Sequence, residues 1–199
     1  MEISNFKDLA RESSVLMLTS DRVGDVTEDE SMKVAKPILS KINALGFVTQ
    51  DSQMGKKEKI NLKYNQIGDK WQRSYISGIM DINIYKEFEL KMDLIGETFL
   101  LIKPHCEMHS EHSNPISVTR VSKQDGSFET TTRCWTECES IYPQWINLLP
   151  DLGDEILDDM ELMEQIEDEV VYVGITDMTW GRPWWLFETV HKVLSEINN

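Results

Sequence analysis

The sequence predicts a mixed α+β fold: a single compact domain over residues 1–199, with a mainly antiparallel sheet flanked by helices. Three observations carry this expectation. Segments with apolar residues at helical spacing alternate with short β-rich runs along the 199-residue chain. No internal repeat and no linker rich in Gly, Ser or Pro divides it. Its 40% hydrophobic and 9% aromatic content is that of a globular chain able to bury one substantial core.

In order along the chain, Phe6, Leu9, Val15 and Leu18 predict a first helix, clearest as far as Arg11, with Ser4 as its N-cap. The acidic, turn-rich stretch "SDRVGDVTEDES" predicts a surface loop. Val34, Ala35, Ile38, Leu39 and Ile42 then mark a helix over residues 28–45, capped by Thr27 or Asp29 and stopped by Gly46. Pro37 inside this pattern allows a kink or a later start. "GFVT" leaves the helix as a strand. The cluster Lys56, Lys57, Glu58 and Lys59 is expected to be a solvated loop. Residues 70–80, "KWQRSYISGIM", predict one strand in which Gly78 marks a bulge or a close backbone approach.

Ile84, Phe88, Met92 and Ile95 predict a helix closed by Gly96, and "ETFLLIKPH" a buried strand. Around Asp125-Gly126, the flanks Ile116, Val118, Val121 and Phe128, Thr130, Thr132 predict a hairpin. "YPQWINLLPDLGDE" is loop or short helix. Residues 154–169 predict an amphipathic helix with an acidic outer face. "VVYVGIT" is the cleanest buried strand, and Pro183 takes the first position of the last helix.

Thirty-five acids against twenty bases give a net charge of −15. Such a field repels phosphates, which disfavours general nucleic-acid and anionic-membrane binding unless a local basic patch overrides it. No apolar run is long enough to span a bilayer, and "MEISNFKDLARESS" is not a secretory signal. Three cysteines, Cys106, Cys134 and Cys138, with no export signal point to reduced thiols and a cytoplasmic setting.

No Gly-x-Ser-x-Gly elbow and no Gly-rich phosphate loop occurs, so no catalytic residue is assigned. His105, Cys106, His109, His112, Cys134 and Cys138 carry donor types that bind zinc, but their spacing matches no standard signature. A metal-dependent enzyme built on them and a polar loop with thiols behind it are the two readings, and no metal ligand is assigned. The tryptophans of "TWGRPWW" either anchor the last helix on the core or face a partner or flat ligand. The polar run from Thr49 to Gln53 is likewise either a strand end meeting water or the wall of a small-molecule site.

"KPILSKINALGFVTQDSQ" followed by "WQRSYISGIM" resembles the S-adenosylmethionine-binding regulatory domain of eukaryotic methylenetetrahydrofolate reductase. The shared pattern is Asn43 and Gly46, Phe47-Val48, Thr49, Ser52-Gln53, and Gln72-Arg73-Ser74-Tyr75. The closing "VYVGITDMTWGRPWWLFETVHKVLSEIN" is also similar, and stand-alone chains with the same core occur in large DNA viruses and some bacteria. The resemblance implies a non-catalytic binding module whose ligand-binding residues are Thr49, Ser52, Gln53 and Tyr75, with S-adenosylmethionine or a related nucleoside as ligand. The alternative it leaves is a protein-interaction or viral accessory protein, binding a protein partner or a second copy of itself, that keeps the fold without the ligand. Met54 stands where the family has Pro, Ser31-Met32 where it has a Glu-Thr pair, and the reductase's catalytic barrel has no counterpart.

Overall fold

The computed structural model describes residues 5–19, 30–62, 66–96, 98–104, 116–122, 127–133 and 169–199. The elements are α1 (Phe6–Thr19), α2 (Glu30–Ala44), β1 (Phe47–Gln53), β2 (Lys56–Leu62), β3 (Gln66–Gln72), β4 (Tyr75–Asp81), α3 (Ile82–Ile95), β5 (Thr98–Pro104), β6 (Ile116–Ser122), β7 (Phe128–Arg133), β8 (Val170–Asp177) and α4 (Trp185–Ile197). The strands form two antiparallel four-stranded sheets, ordered β1-β4-β8-β5 and β2-β3-β6-β7. The class is the mixed α+β one that the alternating patterns predict.

The helices pack on one face of the first sheet. Phe47, Ile76, Met80, Val171, Val173 and Ile175 point from the strands toward Leu39, Ile42, Phe88, Met92, Phe187 and Leu194. Phe47 meets Phe88 edge to face, with centroids 6.4 Å apart. The opposite face is covered as well: Val48, Ile79 and Tyr172 are buried, and so is every residue of β8. Burial on both faces explains why β8 reads as a continuous apolar run rather than an alternating one.

Local chemistry sets the element ends. The Asp81 carboxylate caps α3, accepting from Asn83 N at 2.7 Å and Ile84 N at 3.4 Å, and Gly96 closes the helix in the left-handed region at φ 70°. Gly46, at φ 92°, turns the chain from α2 into β1. Pro37 lies on an exposed face within α2, which continues through it.

Several expectations are corrected. The cap of α1 is Asn5, whose Oδ1 accepts from Asp8 N at 3.0 Å. This helix runs on to Thr19 because Ser13 and Ser14 face α2, while Val15 and Leu18 point outward. The lysine-rich cluster is strand β2, paired along its length with β3. The single strand expected over residues 70–80 is two strands in different sheets, broken at Arg73-Ser74. The last helix begins at Trp185, and both Trp184 and Trp185 pack half-buried against the core. The acidic helix expected over residues 154–169 lies outside the described residues except for Glu169, and the turn at Asp125-Gly126 and the loop or short helix over residues 142–155 lie wholly outside them. Of the loop expected over residues 20–31, residues 20–29 lie outside and Glu30 and Ser31 belong to α2. No helix among the described residues is long and apolar enough to cross a membrane.

Candidate functional site

The site region starts at the α2–β1 turn. Asn43 is fully buried, and its side-chain carbonyl accepts from both the backbone N–H and the hydroxyl of Thr49, each at 2.9 Å. Its amide nitrogen donates to Ser13 Oγ at 2.9 Å. One residue thus ties α1, α2 and β1 together and satisfies polar groups that would otherwise be buried unpaired. Thr49 is 4% exposed and its hydroxyl proton is committed to Asn43, so toward any further group the hydroxyl can only accept.

Just beyond Thr49, β1 bulges. Thr49 pairs with Gly78 and Asp51 with Ser77, leaving Gln50 as the extra residue. Gly78 is required there, because a Cβ would run into the Val48 carbonyl oxygen. The expected bulge or close approach at Gly78 is therefore both: the bulge lies in β1, and its backbone presses on the glycine. After the bulge, Ser52 lies opposite Ile76 and Gln53 opposite Tyr75. Ser52 and Gln53 are half-buried. Tyr75 is 7% exposed, packs against Val118, and has its phenol pushed up to about 12 by burial and by the neighbouring Tyr172. Thr49 and Ser52 follow the helix-covered face of the sheet, whereas Gln53 and Tyr75 belong to the other. The four residues expected to bind ligand thus share one strand pair but divide between its two faces.

The same strand pair continues into the second sheet. β1 passes into β2 through Met54-Gly55, and β3 into β4 through Arg73-Ser74. Ser74 fixes the crossing: its hydroxyl accepts from Gly55 N at 2.8 Å and donates to Arg182 O at 2.6 Å. Asp177 N donates to Ser74 O, and Gly181 N to Gln72 O, both at 2.9 Å. Asp177 is fully buried and holds Arg182 in a two-point ion pair, with Nε and Nη2 each 2.7 Å from a carboxylate oxygen. Arg182 also stacks on Trp185, 3.6 Å from the ring centroid.

Beside this crossing lies a cluster that the sequence does not announce. Lys57, Trp71, Arg120 and Thr130 occupy facing positions on β2, β3, β6 and β7. Lys57 sits 5.1 Å from the Trp71 centroid and Arg120 sits 4.7 Å from it. Arg120 also lies 4.7 Å from the centroid of Trp180, and Arg73 lies 4.1 Å from that same ring. The signal available in the sequence is the alternation of Trp71 and Arg73 beside a lone Arg120 in a β-branched strand. Only the cross-strand register brings them together.

No protein-family model matches the chain, and no curated protein matches it either. His105, Cys106, His109, His112, Cys134 and Cys138 lie outside the described residues. Among the described residues, no group of three or more His, Cys, Asp or Glu side chains is placed to hold a metal ion.

Proposed function

We propose that the chain is a non-catalytic ligand-binding module of the reductase regulatory-domain type, acting in the cytoplasm. Its ligand in this reading is S-adenosylmethionine or a related nucleoside, met at the end of β1. The observation that supports it is the polar strand end itself: Ser52 and Gln53 remain half-open, in register with Ile76 and Tyr75, directly after a bulge that re-aims the strand. On one face Ser52 can donate and accept and Thr49 can accept, a pair that suits a ribose hydroxyl or an amino-acid ammonium, while Gln53 carries its amide on the opposite face.

A thermal-shift titration of the full chain with S-adenosylmethionine and S-adenosylhomocysteine tests the reading. A ligand that binds the native state alone must raise the melting temperature, and Ser52→Ala must reduce the rise. An unchanged melting point at millimolar concentration of both ligands refutes it.

A second reading, a protein-interaction module, is favoured by α3. Leu90 and Leu94, one turn apart, are 68% and 88% exposed. Light scattering on the wild type and a Leu90→Ser, Leu94→Ser variant separates it from the first: a self-associating wild type and a monomeric variant support it.

A further inference from the structure

Among the described residues, the Arg73–Trp180–Arg120 cluster has more positive charge than its neighbours pair with. In a chain with thirty-five acidic residues, carboxylates are not scarce. Yet among the described residues neither Arg73, Arg120 nor Lys57 forms an ion pair with one. Two acids of the adjoining strands are already engaged. Asp69 is 2.6 Å from Lys59, which holds its carboxyl below the usual range, and Asp177 is clasped by Arg182. The Nε–H groups of Arg73 and Arg120 are buried without an acceptor among the described residues. Burial first, and then the charge of Arg120, push the Arg73 guanidinium below its ordinary range, against a smaller opposing effect of the Asp177 carboxylate. Two like charges pressed against one indole, short of hydrogen bonds, leave an arrangement that a negative charge would relieve.

The cluster is also preorganised. Arg73 Nη1 donates to Ser117 O at 2.9 Å, and Arg73 N donates to Val118 O at 2.8 Å. Arg120 is flanked by Trp71, Trp180 and Phe128, the last with its centroid 5.1 Å away. Stacked guanidiniums have their faces covered, and here their Nε–H groups are buried, so what they offer a ligand is the pair of terminal Nη groups. That geometry selects paired oxygens over a single acceptor. The net charge of −15 repels an extended polyanion everywhere beyond this patch, which favours a small ligand over a nucleic acid.

We propose that Arg73 and Arg120, stacked on Trp180 with Lys57 at the rim, bind the oxyanion of a small molecule, a phosphate or a carboxylate. This site is independent of the nucleoside reading, because it uses none of Thr49, Ser52, Gln53 or Tyr75.

The test titrates the full chain with sodium phosphate, sodium pyrophosphate and sodium citrate, each against sodium chloride at matched ionic strength. Tryptophan fluorescence and melting temperature are read together. A saturable fluorescence change is expected, with a melting-temperature rise of about 3–6 °C at tenfold excess over Kd. The phosphate and citrate arms distinguish the two oxyanion sources. Arg120→Gln should weaken binding at least about tenfold and Lys57→Gln about two- to threefold. If Arg120→Gln does not fold, Arg120→Lys, which keeps the charge and loses the paired donors, must still bind severalfold more weakly.

Non-specific salt stabilisation rises without saturating and survives these substitutions, so that pattern overturns the proposal. Equal binding by wild type and the Arg120 variants overturns it too. So does binding of single-stranded DNA with no response to any of the small anions. Adenosine, which carries no oxyanion, should leave the response to phosphate or citrate unchanged.

Discussion

At the scale of single residues, Asn43 shows how one buried amide can organise a turn. Its carbonyl takes two hydrogen bonds from Thr49 and its amide gives one to Ser13, all within a region closed to water. Asn43→Ala would strand the Thr49 N–H, the Thr49 hydroxyl and the Ser13 hydroxyl together. Leaving buried polar groups unpaired costs more than the net worth of the bonds themselves. The expected loss is about 2–4 kcal/mol in urea unfolding, with little change in the slope of the transition. An Asn43→Ala protein as stable as wild type would mean that solvent or other partners satisfy these groups. Thr49 also shows that a hydroxyl quoted for its resemblance to a ligand contact has a structural task in this chain, which any ligand must share with Asn43.

At the scale of elements, the crossing between the sheets depends on a close backbone approach at Gly55. A Cβ there would sit 2.5 Å from Arg182 O and 2.9 Å from Ser74 Oγ, and the carbonyl cannot swing away without breaking its bond to Ser74. Gly55→Ala should therefore destabilise by about 2–3 kcal/mol. Gly96→Ala is the contrasting case: the space is open, with Asp93 O 4.0 Å away, and only the left-handed φ of 70° is penalised, at about 1 kcal/mol. Thermal melts of the two variants should rank in that order. The elements that were legible in the sequence are those whose burial is one-sided or complete. Helix α3 carries Phe88 and Met92 at helical steps before Gly96, and β8 is buried throughout. Strand β2 was not legible, because "KKEKINL" alternates lysines with a glutamate and little apolar signal. The break at Arg73-Ser74 was hidden for another reason: it is fixed by contacts with Arg182, 108 residues along the chain from Ser74. The polar strand end of the candidate site could be read, and Gly78 announced a bulge or close approach, but not that the bulge lies in β1, nor the register that gathers Lys57, Arg73 and Arg120 around two indoles.

At the scale of the whole molecule, the alkaline limit of stability has a named contributor. Tyr75 has its native pKa raised to about 12, above the unfolded value of 10.0, so between these values the unfolded chain gives up the proton first. The stabilisation is fully present below pH 10 and is lost as the pH climbs toward 12, amounting to about 2–3 kcal/mol. Repulsion within a chain already at −15 acts in the same direction, so the difference between wild type and Tyr75→Phe isolates the phenol. The wild type should lose stability more steeply across that window, and parallel curves for the two proteins would remove Tyr75 from the account. The order β1-β4-β8-β5 also bears on how the chain is made. Strand β8 enters between β4 and β5, yet it begins at Val170, well after both have left the ribosome. Until it arrives, a nascent chain holds the facing edges of β4 and β5 without the strand that joins them in the finished sheet. Synthesis of this protein therefore includes an interval of heightened vulnerability to aggregation, during which chaperone protection matters most.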